Sequence, residues 1–294
     1  MNIELIKFID KRKIPLVIAV TLILFSGIIV TVMQAGVRFL SSEVHPFTIV
    51  FFRAFLGVLL LLPLMFKWGP SIFKTAHPKL QIFRGFIGSG GLLCFFYGLS
   101  IVTLAEAVTL GFTVPIFATL LAIVFFGEKV GRWRWFAILT GLVGVFVVVR
   151  PDLEIGLGPI LVLIASLSWA ISVLIAKKLT HFDSDISIAF WQTVGNVPLA
   201  LAMSIYVWET PTQNQLIILL LIAIFGTIAQ TSLNAALRRG EVSFLLPFDY
   251  LRLLWSILIG YFIFKDFPGH GLFIGGALIV FATSLMAYRE SRKS

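Results

Sequence analysis

Asp249 and Arg252 stand three residues apart in the apolar stretch FLLPFDYLRLLW, residues 244 to 255. A charge at the centre of a bilayer-spanning helix costs roughly 2.5–3.5 kcal/mol on insertion scales, so each needs a partner, water or a ligand. The i, i+3 spacing puts both on one helical face, flanked by Phe248 and Trp255. Two chemistries fit that spacing. The residues can neutralise each other as an intrahelical ion pair. Or they can line a cavity, where Asp249 offers a carboxylate to a cationic group and Arg252 a fork to a carboxylate.

Other polar positions repeat at helical spacing. Glu106, Thr109 and Thr113 fall at i, i+3 and i+7. Glu106 could bind substrate or take up a proton, as could Asp249. Glu106 is equally placed to be the N3 residue of a capping box that opens on Thr103. Thr227, Gln230, Thr231 and Asn234 form one polar face of an otherwise apolar segment. Such a face either joins helices or lines a wet path. Arg53, in FFRAF, lies deeper in its apolar run than any loop charge. It can snorkel, pair with an acid or contact substrate, with pairing preferred. Gln34, Gln192 and Asn196 are weaker candidates. Tyr97, Phe112, Trp169, Trp191, Tyr250 and Trp255 could stack on a ring, though each also suits packing. The substrate-binding set is therefore Asp249, Arg252, Gln230, Asn234, Thr227, Tyr97, Glu106, Thr113, Trp169 and Phe248. No metal ligand set, disulfide (Cys94 is the single cysteine) or cofactor is expected.

The elements that position these residues follow from composition. The 294 residues are 59% hydrophobic and 13% charged, with mean hydropathy +1.02. That is a polytopic membrane protein, read in spans of about 20 residues. Ten spans are predicted near 14–39, 46–66, 82–100, 103–126, 133–149, 157–178, 184–207, 213–237, 242–264 and 270–288. The first is too long for a signal-peptide core and reads as a retained helix. Of 23 Lys and Arg, 18 fall on the side of the termini, and only Arg38, Arg150 and Lys265 on the other. This bias places both termini in the cytoplasm. It also explains the net charge of +9 without a nucleic-acid partner.

The chain repeats itself. TLLAIVFFGEK ends at Lys129 and SILIGYFIFKD at Asp266, so Glu128 and Asp266 align at an offset of 138. Arg38 and Lys178 align at 140. Each half, 14–149 and 157–288, holds five spans, and an odd number inverts the second copy. Pro115 should kink span 4, leaving the Gly111 carbonyl without its usual donor. Gly141 and Gly144 of span 5, Gly275 and Gly276 of span 10, and the run GFIGSGG of span 3 permit close helix approach. For spans 5 and 10 they suit a repeat-to-repeat contact, or a homodimer. For span 3 a thin wall beside a cavity is the other reading.

FFRAFLGVLLLLPL in span 2, RGFIGSGGLLCFFYGLSIVTLAEAVTLGFTVPIFATLLAIVFFGEK in spans 3 and 4, and YLRLLWSILIGYFIFKDFP in span 9 resemble the drug/metabolite transporter superfamily, EamA type. The arrangement is most similar to a bacterial branch that includes S-adenosylmethionine uptake carriers. The resemblance implies ten helices in two inverted repeats, a central cavity lined by spans 3, 4, 8 and 9, and alternating access. Many relatives carry Glu-Pro after Tyr-Leu in span 9, where this chain has Arg252-Leu253. Their coupling role is therefore not carried over.

The expected function is secondary transport of a small polar or amphipathic metabolite. An S-adenosylmethionine-like, amino-acid or other zwitterionic or aromatic compound fits a site with an acid, a base and rings. A membrane-embedded enzyme is the rival, but no H-E-x-x-H or G-x-S-x-G element occurs. A receptor or assembly factor is disfavoured by the repeat.

Overall fold

Proline and capping residues set the helix boundaries. In a computed structural model, residues 13–68, 74–126, 132–149, 156–179, 182–183, 185–237 and 248–291 are described. Among them all regular structure is helical. The helices are α1 (Lys13–Leu40), α2 (Pro46–Trp68), α3 (Pro78–Ile101), α4 (Leu104–Gly111), α5 (Val114–Phe126), α6 (Arg132–Val149), α7 (Leu157–Leu179), α8 (Asp185–Ile205), α9 (Gln213–Leu237), α10 (Leu251–Phe264) and α11 (His270–Ser291). Proline opens α2 and α3, where a missing N–H costs nothing. Thr212 and Gln215 form a reciprocal capping box before α9, with bonds of 2.9 and 3.4 Å. Lys265, at φ 58, turns the chain left-handed after α10.

The chain is an all-α polytopic membrane protein. Five segments are long and apolar enough to cross a bilayer, among them Leu104–Phe125, and shorter apolar helices include Leu251–Phe264. Span 4 is the pair α4 and α5, broken where Pro115 requires it. Span 3 starts at Pro78, earlier than predicted, which draws Arg84 out of the loop set. It is buried, donating from Nε to the Ser172 carbonyl at 3.2 Å and from Nη1 to the Ile188 carbonyl at 3.0 Å. The first residues of span 9 (242–247) and Glu128 lie outside the described residues.

The main packing joins the two halves reciprocally. The most extensive contacts are α3 with α7, α6 with α11, and α9 with α1. If α1, α2, α3, α4–α5 and α6 correspond to α7, α8, α9, α10 and α11, then α3·α7 mirrors α1·α9. In the same way α3·α8 mirrors α2·α9, and α4–α5 with α7 mirrors α10·α1. The pairs α2·α8, α4·α10 and α6·α11 each join equivalent helices. The core is built on this seam, from residues such as Phe96, Leu99, Leu104, Leu110 and Leu219.

Small residues make the seam close. A Cβ at Gly144 would meet the Gly275 carbonyl oxygen at 2.8 Å, and one at Gly275 the Gly144 oxygen at 2.5 Å. The glycine faces of α6 and α11 are thus filled by each other. Leu139, Val143 and Phe146 of α6 and Phe273, Ile274 and Phe281 of α11 point outward. A homodimer through these spans would have to use those outer faces. Gly85 and Gly195 meet the same way, each Cβ position 2.8 Å from the other's Cα. Neither backbone can yield cheaply. Gly85→Val should lower the melting temperature in detergent by several degrees, as about 1–3 kcal/mol of overpacking would do. An unchanged melting curve would mean α3 and α8 are less closely held. Gly90, by contrast, faces open space. Close packing is thus seen at Gly85, Gly88, Gly91 and Gly98 of span 3.

Candidate functional site

The site is built where spans 4 and 9 break. Pro115 has no N–H, so the chain turns at Phe112 and Thr113 between α4 and α5. Membrane backbone must find replacement partners at such a break. The Leu110 carbonyl accepts from the Thr113 backbone at 3.1 Å, the Thr113 hydroxyl at 2.6 Å and the Ser166 hydroxyl at 3.3 Å. Tyr250 forms a turn immediately before α10. On the 138-residue offset Phe112 would correspond to Tyr250, and their rings touch edge-to-face, centroids 5.0 Å apart. The Tyr250 hydroxyl is hydrogen-bonded to Thr283 of α11.

Asp249 and Arg252 sit on this contact. Their nearest oxygen and nitrogen are 3.7 Å apart. That is an ion pair but beyond hydrogen-bond reach, so each group keeps bonding capacity. The Arg252 guanidinium lies over the Phe112 ring at 4.9 Å, a cation–π contact, and its Nε has no hydrogen-bond partner. Both side chains are about one-fifth exposed, 20% for Arg252 and 23% for Asp249. Gly27 of α1 closes the wall: a Cβ there would stand 3.8 Å from Arg252 Cβ and 4.0 Å from an Asp249 oxygen.

The other predicted residues are spread more widely. Phe248 packs on Ala19, Ile23 and Ala236. Trp169 packs against Phe95 at 5.0 Å and beside Gly91. Glu106 occupies the third position of α4, its N–H donating to the Thr103 hydroxyl at 3.2 Å, as the capping-box spacing requires. Thr109 and Thr113 are buried, with their hydroxyls on backbone carbonyls of their own helix turns. In α9, Thr227 donates to the Ala223 carbonyl at 2.8 Å and faces Gly57 of α2. Gln230 and Thr231 are exposed. The side chain of Asn234 lies outside the described residues.

Three features carried little sequence signal. Arg53 is set among α2, α3, α1 and α9: its guanidinium is 5.9 Å from the Phe96 ring, and it shares the surface of Gly226 with Met33. Its Nε has no hydrogen-bond partner, and no acid pairs with it among the described residues, against the expected pairing. Arg38, at the end of α1, grips Asp266, just beyond α10, through two hydrogen bonds and lies 4.4 Å over Phe264. Position on one membrane face could have suggested this pair, but not its geometry. Tyr97 lines a cavity of about 700 Å³ opening at the face opposite the termini, with Glu43, His45, Tyr206, Trp208 and Glu209. Burial pushes the His45 imidazole below its ordinary value, favouring its neutral form, and Glu43 and Glu209 are the acidic residues of this mouth. Glu43 accepts from Gln215 at 3.0 Å.

On the termini side, Asp183 bridges two loops. Burial alone would raise its carboxyl, but bonds from Thr75, the Ala76 N–H and Gln81, with the nearby His77, hold it below the usual carboxylate range.

Comparison with known proteins gives a coherent group. The profile of the EamA-like transporter family matches residues 15–150 and again 156–288. An S-adenosylmethionine uptake transporter of Rickettsia felis is 30% identical over 87% of each chain. That of Rickettsia bellii is 29% identical over 87% of this chain and 88% of its own. A riboflavin transporter of Rhizobium johnstonii is 31% identical over 79% of this chain and 78% of its own. One solved crystal structure covers 97% of the chain with a TM-score of 0.61 at 18% identity, a likeness of fold.

Proposed function

The chain belongs to the EamA-like transporter family, and from that premise we propose that it is a secondary carrier. It moves an S-adenosylmethionine-like metabolite across the bacterial inner membrane by alternating access, with both termini cytoplasmic. The two halves act as inverted repeats, a reading supported by the reciprocal helix pairing. The observation that carries the site is the loose Asp249–Arg252 pair at the break before α10, beside Phe112 and Tyr250. A charged pair left short of hydrogen bonding in a span is costly unless something else completes it. Asp249 offers a carboxylate to a cationic group. Phe112 and Tyr250 offer ring surface to a planar one. Half-helices breaking near the midplane, as α5 and α10 do, are a recurrent transporter device.

S-adenosylmethionine has a cationic sulfonium, a charged amino-acid end and a purine, and the Rickettsia relatives are named for its uptake. Two measurements test the choice. Purified protein should melt higher with S-adenosylmethionine, because a ligand of the native state raises apparent stability. Sealed vesicles carrying the protein should take up the labelled compound above empty vesicles. Stabilisation and uptake by riboflavin alone would reassign the substrate to the chemistry of the Rhizobium relative. No uptake of any metabolite panel by folded protein would remove the carrier reading.

A further inference from the structure

Arg53 is a deep cation without a protein anion. The contrast with Arg84 is direct. Arg84 is also withdrawn from the loops, but carbonyls of Ser172 and Ile188 occupy its donors. Arg53 meets a ring face, a thioether and a glycine: Phe96, Met33 and Gly226. None accepts a charge-assisted hydrogen bond, and its Nε is orphaned. Removing a guanidinium from water without an anion is among the costliest arrangements a membrane interior can hold. Yet Arg53 is not sealed in, for its exposure is intermediate.

Its depth matters. Along α1, Gly27 marks the level of Asp249 and Arg252, and Met33 the level of Arg53. Six residues of helix separate them by about 9 Å. Arg53 lies on the side of the Tyr97 cavity, seven residues into α2 from Pro46. Arg252 already directs its charge to Asp249 and the Phe112 ring. Arg53 directs its charge to nothing in the protein that carries a negative one, among the described residues.

We propose that Arg53, not Arg252, receives the carboxylate of the transported metabolite. The inference rests on the carrier reading above and narrows its substrate class. The substrate must bear a carboxylate on the side of the part held near Asp249 that faces the Tyr97 cavity. The unpaired guanidinium is then a stored cost that the substrate anion relieves on binding. A planar fork also suits a carboxylate better than a lysine ammonium would.

The test uses two probes in proteoliposomes of the whole chain: S-adenosylmethionine and its decarboxylated form, which differ by the carboxylate. Wild type should favour S-adenosylmethionine by roughly 10- to 100-fold in KM, the scale of one charged hydrogen-bonded contact. Arg53→Met should erase that preference, raising KM for S-adenosylmethionine while changing the decarboxylated compound less than about threefold. Arg53→Lys should keep part of it. Melting of the ligand-free protein gives the second readout. A structural arginine would make Arg53→Met melt lower; an unpaired ligand-binding one should leave the melting temperature unchanged or raise it.

Equal handling of both probes by wild type would overturn the inference and leave the carrier reading standing. Handling of neither would overturn the carrier reading for this metabolite, and the inference with it. Equal loss for both probes in Arg53→Met, or a lower melting temperature, would make Arg53 a structural residue and overturn the inference alone.

Discussion

Asp249→Asn is expected to abolish uptake while the protein still inserts and folds. The carboxylate is the one acid on the break before α10, 3.7 Å from Arg252 and facing Gly27 across the wall. The amide keeps the shape and removes the charge. It also leaves Arg252 with only the Phe112 ring as partner. An unsatisfied buried group costs about 1–3 kcal/mol, so a modest fall in melting temperature should accompany the loss of transport. Arg252→Met removes both the ion pair and the contact with the Phe112 ring. The double change separates the two meanings of the pair. If the pair exists only to neutralise itself, Asp249→Asn with Arg252→Met should recover both stability and uptake. If it binds substrate, stability should recover and uptake should stay at least about 100-fold down, the scale of losing one partner of a buried charge contact. Normal uptake by Asp249→Asn alone would remove the residue from the site.

Breaking the Arg38–Asp266 clamp is expected to loosen the face opposite the termini. The clamp ties the end of α1 to the left-handed turn at Lys265, and Phe264 backs the guanidinium. Both side chains are less than one-fifth exposed, at 18% and 14%, so solvent weakens the pair less than it would a surface one. In a carrier that rocks, such a tie must form and break once per cycle. Asp266→Asn should remove about 1–2 kcal/mol of it and shift the open-to-closed ratio by roughly 5- to 30-fold. The protein supplies its own reporter. Cys94 is its single cysteine and lies one turn deeper than Tyr97, which lines the cavity at the face opposite the termini. Labelling of Cys94 by a membrane-impermeant maleimide should accelerate in Asp266→Asn by a similar factor. Arg38→Lys, which keeps the charge but loses the fork, should fall between. Identical labelling rates in all three proteins would mean the clamp is static.

Much of the architecture is legible in the sequence because the bilayer leaves few choices. Apolar length sets the spans, and the one-sided distribution of lysine and arginine sets their count. Pro115 announces the break in span 4, and Thr103 with Glu106 announces the start of α4. The Asp249–Arg252 pair follows from spacing alone. Other features depend on which helices meet. Gly27 is one glycine among 24, and only the approach of α1 to α10 gives it meaning. Arg38 and Asp266 are 228 residues apart. Arg84 reads as a loop charge by its position near a span end, but the carbonyls that satisfy it come from α7 and α8. Arg53 reads as a residue in search of an acid because sequence shows where a charge is and not what surrounds it. Trp169, Tyr97 and Phe248 share the residue types of a binding site, and only helix packing says where each lies: against Phe95, in the cavity at the face opposite the termini, and on the Ala19–Ile23 cluster.

The central claim is that the pair at the break before α10 serves a carrier that alternates between two faces. Counterflow tests it most directly. Proteoliposomes preloaded with unlabelled S-adenosylmethionine are diluted into a trace of the labelled compound. The account predicts a transient accumulation of label above equilibrium, absent from empty liposomes and from Asp249→Asn. Label that enters without overshoot, or enters equally well through Asp249→Asn, would contradict it.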